Sequence, residues 1–474
     1  MGAWLPIAEI AAKVQAGELS AVDMVEQALK TIEEKKEYNA IIATTAERAR
    51  ERAASIDAAI KNGQKAGRLA GVPFIAKDNY LVFGAETTAA SNMLKGFTAP
   101  YQSTVINRLE DEGAICVAKA NLDAFAHGAS TENSDFGVTK NPSDPTRVPG
   151  GSSGGSAASV MLDMAPFALG SDTGGSIRQP ASFTGAVGFK PTYGTTSRSG
   201  VVAMASSTDV MGPLTRSVED AALVYDVFAG PDQLDSTTIE RDPAGYSDNL
   251  DTSLQGKKVA VVKEYMGDGV DEGVKAQIRA AIDKLKAAGA EITEVSIPSI
   301  PLALAVYYIV VPAELSSNLS RHDGQRYEFS YKDGQTLDES YTKSRGIGFG
   351  NEAKRRIMIG TFVLSSGYYD AYYRKAQTVR TKLINEFNEA FKQADFLVGP
   401  TAPTTAFKIG ENANDPLQMY LADVMTVGAS LVGIPAIVVP AGLSEGLPVG
   451  LQVMAPQRAD RALLGLAKGI EETL

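Results

Sequence analysis

The sequence predicts an α/β sandwich built on a largely buried sheet, with a helical segment ahead of it. Short apolar runs alternate with stretches of helical periodicity, the order that lays helices against a sheet. A hydrophobic content of 44% against 21% charged residues supplies ample core for such a layered fold. At 474 residues the chain is long enough for about three domains, but no linker of the required kind precedes residue 230.

The first 65 residues read as helical. Ser20-Ala21-Val22-Asp23 is a capping-box-like start, and Val22, Val25, Leu29 and Ile32 follow at helical spacing. A second helix is predicted over Ala46–Ile60, with Thr44 as its cap, Glu47 near its start and Gly63 beyond its end. Strands are predicted at Val72–Ala76, Ala114–Lys119, Phe167–Gly170 and Lys258–Val262, the last followed by a helix over Val274–Ala288 that stops at Gly289. Between the two halves, Asp232–Lys257 is rich in Asp, Ser, Thr and Gly and reads as a surface excursion. Ala376, Val379, Leu383, Phe387 and Ala390 form an apolar stripe on a long helix, which reads as core packing.

Composition narrows the function. A net charge of −11, with basic residues scattered among acids, argues against a main nucleic-acid-binding surface. No apolar stretch is expected to reach the roughly 18 residues of a membrane span. The start Met-Gly-Ala-Trp-Leu-Pro lacks the pattern of a secretory signal. Cys116 is the single cysteine, in a run that reads as a buried strand, so a reducing cytosol is expected. No metal-ligand spacing and no phosphate-binding glycine loop of the Gly-x-x-x-x-Gly-Lys-Ser/Thr type occur.

The chemistry gathers around two serines in glycine-rich turns. One turn is Val148-Pro149-Gly150-Gly151-Ser152-Ser153-Gly154-Gly155-Ser156; the other is Gly170-Ser171-Asp172-Thr173-Gly174-Gly175-Ser176-Ile177-Arg178. Upstream, Lys77 ends the apolar run Gly71-Val72-Pro73-Phe74-Ile75-Ala76. A serine becomes a nucleophile when a base takes its proton, and the chain offers just two histidines, His127 and His322. A lysine acting through a second serine would serve instead. That lysine must be neutral, and desolvation by its apolar neighbours would favour the neutral form. The glycines around Ser176 let consecutive backbone N–H groups point into one small space, as an oxyanion hole over Thr173, Gly174, Gly175 and Ser176 requires. Each piece also has an ordinary reading: a buried lysine can reach solvent along its stem, and a glycine–serine turn can be only a turn.

Taken together, the pieces resemble the amidase signature family. The likeness runs from Gly150 through Arg178-Gln179-Pro180 and on through Gly188-Phe189-Lys190-Pro191-Thr192-Tyr193-Gly194 and Asp209-Val210-Met211-Gly212-Pro213-Leu214-Thr215-Arg216. It implies Lys77 as base, Ser152 as relay and Ser176 as nucleophile, a cis Gly151–Ser152 peptide, and one mixed sheet flanked by helices in a single large domain. Within that domain, residues 66–230 would form the catalytic core, 231–257 the excursion and 258–474 the half with the substrate pocket. Ser153 and Ser156 read as helix-start residues, Ser171 as a support of the second loop, and Asp172 and Arg178 as residues that hold the loops.

The C-terminal third is similar to one branch of the family, the glutaminase subunits of glutamyl-tRNA(Gln)/aspartyl-tRNA(Asn) amidotransferases. The carrying runs are Lys354-Arg355-Arg356-Ile357-Met358-Ile359-Gly360-Thr361, Leu364 to Tyr373, Gly399 to Thr404, Ala406 to Glu411 and Asp415 to Asp423. The resemblance implies glutamine as substrate, Arg356 for its carboxylate, Asp423 for its ammonium, and Tyr307 and Ser130 in the pocket wall. It also implies a heterotrimer with B-type and C-type subunits, mischarged tRNA held mainly by the B-type partner, and ATP and Mg at that same partner, with no cofactor in this chain. A stand-alone amidase acting on aliphatic, aryl or peptide amides is the alternative. By position alone Arg356 would be a surface cation, His127 a packing or pocket-edge residue, and His322 a surface residue. Three positions depart from the branch: Ser143-Asp144 after Asn141-Pro142, Ala124 and Leu315.

Overall fold

The computed structural model describes residues 4–474. Among these, eleven strands join one sheet: β1 (Ile41–Thr44), β2 (Pro73–Lys77), β3 (Ile115–Ala120), β4 (Phe167–Asp172), β5 (Val187–Lys190), β6 (Val210–Thr215), β7 (Lys258–Val262), β8 (Glu291–Val295), β9 (Phe396–Pro400), β10 (Ala436–Ser444) and β11 (Leu447–Met454). Their order across the sheet is β1-β3-β2-β4-β6-β5-β10-β11-β9-β7-β8. Two parallel wings, β3-β2-β4 and β9-β7-β8, flank an antiparallel centre. The sheet is therefore mixed and the fold α/β. Strands β2, β3 and β4 are buried along their whole length, as parallel strands covered by helices on both faces must be. That burial is why their apolar runs read as strands. Strand β8, exposed at most positions on the sheet edge, carries Glu291 and Glu294 and gives no such signal.

The N-terminal segment departs from the all-helical expectation. Helices Ile7–Gln15, Ala21–Glu34 and Ala46–Lys61 are present, but β1 lies between the last two. The run Ile41-Ile42-Ala43-Thr44 is rich in β-branched residues and pairs antiparallel with β3. Ser20 caps as expected, its hydroxyl accepting the Asp23 N–H at 3.3 Å. Thr44 does not cap, because it ends β1; the residue at the helix start is Thr45, whose hydroxyl donates to the Cys116 carbonyl at 2.7 Å. Cys116 is buried in β3, and that burial pushes its thiol up to about 12.

In the second half, helix Glu272–Ala287 starts two residues before the expected Val274, capped by Asp271, and Gly289 beyond its end has φ +98°. The stripe on helix Lys375–Phe391 faces the core, with Ala376, Leu383, Phe387 and Ala390 buried and Val379 half-buried. Segment Asp232–Lys257 contains no helix or named strand and is tied down by an Arg198–Asp235 ion pair at 2.7 Å and by Arg461, which donates to four of its carbonyls.

One helical stretch, Ile300–Arg321, is long and apolar enough to cross a membrane, contrary to the expectation that none would be. Half of its apolar window is buried inside the protein, where the helix packs against helices Asn351–Leu364 and Lys375–Phe391. The approach to Asn351–Leu364 depends on Gly360, where a Cβ would lie 1.9 Å from the Pro312 carbonyl oxygen. This crossing brings Tyr307 and Tyr308 of one helix to the Arg356 side of the other.

Candidate active site

Strands β2 and β4 are adjacent and parallel, so Lys77, at the end of β2, and the loop after β4 leave the sheet at the same edge. The turn before helix Gly154–Met161 comes to that edge as well, because the Ser153 N–H donates to the Ser176 carbonyl at 3.1 Å. Lys77 is fully buried. Its Nζ lies 2.8 Å from both Ser152 Oγ and Ser153 Oγ, 3.0 Å from Ser171 Oγ and 3.3 Å from the Ser171 carbonyl oxygen. The Gly151–Ser152 peptide is cis.

Burial lowers the Lys77 amine to about 7, against the pull of Asp123, Asp172 and Asp209, which favour its charge. Two other buried lysines show what is particular to it. Lys119 is paired with the Asp78 carboxylate at 2.6 Å. Lys190 is also lowered to about 7 by burial, but its amine meets only the Pro191 carbonyl. Lys77 alone of the three faces serine hydroxyls in the two glycine-rich turns, with which it can exchange a proton. The position of the serines, not the depressed pKa, singles it out.

The sequence predicts helix-start and loop-support roles for Ser153 and Ser171. Ser153 does precede its helix, but its side chain makes no capping bond and turns to Lys77 instead. The doubled Ser152-Ser153 is the one signal in the sequence for this second contact. Ser156 serves packing, donating to the Leu169 carbonyl at 2.9 Å.

The loop carrying Ser176 is clamped from behind. The Asp172 carboxylate accepts the Ile177 and Arg178 N–H groups and pairs with the buried Arg178 guanidinium at 2.9 Å. Arg178 also reaches the Thr426 carbonyl, Gln452 and Ser430, joining the loop to the second half of the chain. Between these clamps, the backbone N–H groups of Thr173, Gly174, Gly175 and Ser176 find no acceptor among the described residues. The Ser176 hydroxyl is likewise unbonded there, and the residue is 6% exposed. Gly174 and Gly175 are required by close approach: a Cβ on Gly174 would lie 2.5 Å from the Tyr307 ring, and one on Gly175 would lie 2.2 Å from Thr426 Oγ1. Gly175 also has φ +147°.

On the Asp123 side of the Ser152 turn opens a cavity of about 400 Å³ lined by Asp123, His127, Ser130, Tyr308, Arg356 and Tyr420, among others. Arg356 is 3% exposed, whereas its neighbour Arg355 is 44% exposed along its side chain. The surface reading by position therefore fails for Arg356. Its guanidinium lies over the Tyr308 and Tyr420 rings at 5.2 and 5.6 Å. Its Nε donates to Glu352 Oε1 at 2.8 Å, and the Tyr420 hydroxyl donates to the same oxygen at 2.9 Å. Although burial works against it, Arg356 holds the Glu352 carboxyl below its ordinary value. Sequence reasoning misses Glu352, Tyr308 and Tyr420; the Glu352–Arg356 spacing of one helical turn is the readable clue. The terminal guanidinium nitrogens of Arg356 make no hydrogen bond within the described residues.

Asp423 sits in a turn joined to the Ser176 loop by Thr426, whose Oγ1 lies 2.6 Å from the Gly174 carbonyl oxygen and 3.0 Å from that of Asp423. Its carboxylate receives no hydrogen bond from the described residues. Burial raises it to about 8, with Arg356 pulling the other way. Tyr307 packs on Gly174, and Ser130 lines the cavity. His127 is fully buried on the cavity wall, with neither ring nitrogen bonded. His322 is not on the surface: it is 5% exposed, packed against Phe125 and Tyr327, and burial lowers it to about 4. Neither histidine meets Lys77, Ser152 or Ser176. Among the described residues, no group of three or more His, Cys, Asp or Glu side chains could hold a metal ion.

The chain belongs to the amidase family, whose model matches residues 23–464. It is 50% identical over 469 residues to the A-type component of the glutamyl-tRNA(Gln) amidotransferase of Caldanaerobacter subterraneus subsp. tengcongensis, covering 99% of this chain and 96% of that protein. The crystal structure of the corresponding A-type component of the Thermotoga maritima glutamyl-tRNA(Gln) amidotransferase superposes with a TM-score of 0.79 at 41% identity, over 95% of this chain and 91% of that one. The peptide amidase of Stenotrophomonas maltophilia superposes with a TM-score of 0.82 at 29% identity, over 98% and 96%. The fold is thus common to both kinds of amidase, while sequence identity favours the amidotransferase components.

Proposed function

We propose that this chain is the glutaminase subunit of a tRNA-dependent amidotransferase, releasing ammonia from glutamine through Lys77, Ser152 and Ser176. The observation that carries this reading is the pairing of a cation with free terminal nitrogens, Arg356, with an unengaged carboxylate, Asp423, beside the Ser176 loop. A free amino acid presents a carboxylate and an ammonium, and the planar fork of an arginine suits the first as a carboxylate suits the second. The near-full-length identity to A-type amidotransferase components supports the same conclusion.

In this mechanism Ser176 Oγ attacks the side-chain amide carbon of glutamine. Its proton passes to Ser152, whose own proton passes to neutral Lys77. The oxyanion of the tetrahedral intermediate is received by the N–H groups of Thr173 to Ser176, where losing one donor costs about 3–4 kcal/mol of barrier. Collapse breaks the C–N bond while the relay returns the proton to the leaving ammonia. Water then attacks the Ser176 ester by the same route and releases glutamate. Tyr307 and Ser130 complete the pocket wall.

Within the complex, the chain works with B-type and C-type partners in the cytosol. The B-type partner holds the mischarged tRNA, and ATP and Mg act there; this acidic chain supplies the ammonia. The test is steady-state ammonia release by the full chain, alone and with both partners, from glutamine and from an uncharged primary amide such as propionamide. A higher kcat/KM for glutamine, raised further by the partners, is expected. Preference for the uncharged amide with no response to partners would overturn the reading in favour of a stand-alone amidase.

A further inference from the structure

The buried carboxylate of Asp123 has no place in the mechanism above, yet it touches both of its halves. Asp123 is fully buried. Oδ2 accepts the N–H groups of Thr131 at 2.9 Å and Ser130 at 3.3 Å, and Oδ1 accepts that of Asn133 at 3.1 Å. Of these, Ser130 and Asn133 lie on the lip of the cavity that Arg356 lines. On its other side Asp123 abuts the relay. Its backbone N–H donates to the Ser152 carbonyl at 3.3 Å, and a Cβ on Gly151 would lie 2.1 Å from Asp123 Oδ2. Glycine at 151 is what lets the carboxylate approach the Gly151–Ser152 peptide so closely.

Three buried carboxylates favour the charged form of Lys77: Asp123, Asp172 and Asp209. Asp172 is paired with Arg178. Asp209 accepts from the Thr173 hydroxyl at 2.7 Å and from the Met204 and Ala205 N–H groups, and so holds the far side of the nucleophile loop. Asp123 is bonded only to backbone N–H groups and is the largest of the three charge effects on the Lys77 amine.

We propose that Asp123 is a positioning residue that couples the proton relay to the ligand pocket, its carboxylate fixing the Ser130–Asn133 lip while its negative charge acts on the Lys77 amine across the Gly151–Ser152 peptide. The proposal rests on Lys77 being the base of the relay. Without Asp123's charge, burial acts on Lys77 with less opposition, so the amine becomes neutral at lower pH. Without its geometry, the lip loses three anchors and glutamine binding weakens.

The test reads the relay without using glutamine. In the full chain, a small aryl sulfonyl fluoride labels Ser176: the Ser176 O–S bond forms, the S–F bond breaks, fluoride leaves and the serine proton passes to Lys77. The labelling rate of the wild-type protein should rise with pH through a midpoint near 7. In Asp123→Asn the midpoint should fall by about half to one pH unit, and KM for glutamine should rise about tenfold or more. A slower rate with an unmoved midpoint would reduce Asp123 to a structural support and overturn the proposal. If Asp123→Asn fails to fold, the reciprocal measurement replaces it: the Asp123 carboxyl, followed by carbon-13 NMR, should titrate higher in Lys77→Met than in wild type. An unchanged Asp123 titration overturns the proposal equally. Failure of the glutamine reading would alter the KM result and leave both titrations as expected, so the two failures are distinguishable.

Discussion

The proton relay and the pocket wall are built on opposite rules. Around Lys77, the amine and the hydroxyls of Ser152, Ser153 and Ser171 complete one another within the protein. By contrast, the terminal nitrogens of Arg356 and both nitrogens of His127 on the cavity, and the carboxylate of Asp423 near Arg356, have no hydrogen-bond partner among the described residues. Leaving a buried polar group such as the His127 ring unpaired costs on the order of 1–3 kcal/mol, and the open bonding positions of Arg356 and Asp423 near it mark where a ligand completes the bonding. The Lys77–Ser152 half of the relay is bonded without substrate; Ser176 and the pocket are not. Replacing a relay residue should therefore remove turnover, whereas replacing a pocket residue should remove preference.

The largest effect expected is at the nucleophile. Ser176→Ala should lower ammonia release by at least about 10⁴-fold, since groups acting as one unit fail together. Ser152→Ala and Lys77→Met should fall in the same range; an intact rate in any of the three breaks the comparison on the relay side. On the pocket side, Arg356→Ala should raise KM for glutamine by about 10²-fold or more, as truncating one partner of a buried charged contact does. Activity towards an uncharged amide should change far less. Equal loss on both substrates would move Arg356 from ligand recognition to structural support.

The same division explains what could be read in the sequence. Lys77, Ser152 and Ser176 lie in short glycine-rich turns and at a strand end, so local pattern carries them. Arg356 is different, because its burial comes from a helix crossing set by Gly360 and Pro312, residues far apart in the chain. Nothing in Lys354-Arg355-Arg356 separates the one buried cation from its neighbours. The tyrosines that flank it, Tyr308 and Tyr420, come from two further segments. In the fold, the buried strands of the parallel wing were legible because sandwiching between helices demands continuous apolar runs. Strand β1 and the edge strand β8 were not, since β1 sits inside a helical context and β8 is largely exposed. His322 misled for a related reason: polar neighbours in sequence, Arg321 and Asp323, hide an imidazole that turns inward onto Phe125.

Gly174 lies where the two regions meet, and Gly174→Ala tests whether they can be perturbed together. A Cβ there would meet the Tyr307 ring at 2.5 Å, displacing either the N–H groups of the nucleophile loop or the pocket wall. Overpacking of this kind costs about 1–3 kcal/mol, and a comparable loss in kcat/KM is expected with a drop in Tm of a few degrees. A loss confined to KM would mean that Tyr307 yields; a loss confined to kcat would mean that the loop does.

The smallest expected effect is the sharpest for the pocket. Asp423 is raised to about 8, so at pH 7 the unliganded carboxyl is mostly protonated and neutral. An ammonium group binds the ionised form, so glutamine binding must expel that proton, and affinity should rise as pH climbs towards 8. At pH 7 binding should release a substantial fraction of a proton per glutamine bound, and the release should shrink as pH rises past 8. Calorimetry on Ser176→Ala, which binds without turning over, reads this number by comparing buffers of different ionisation enthalpy. Adding Asp423→Asn should abolish the release and weaken binding. Release that persists in the double variant would place the titrating group elsewhere, with the Lys77 amine, lowered to about 7, the next to examine.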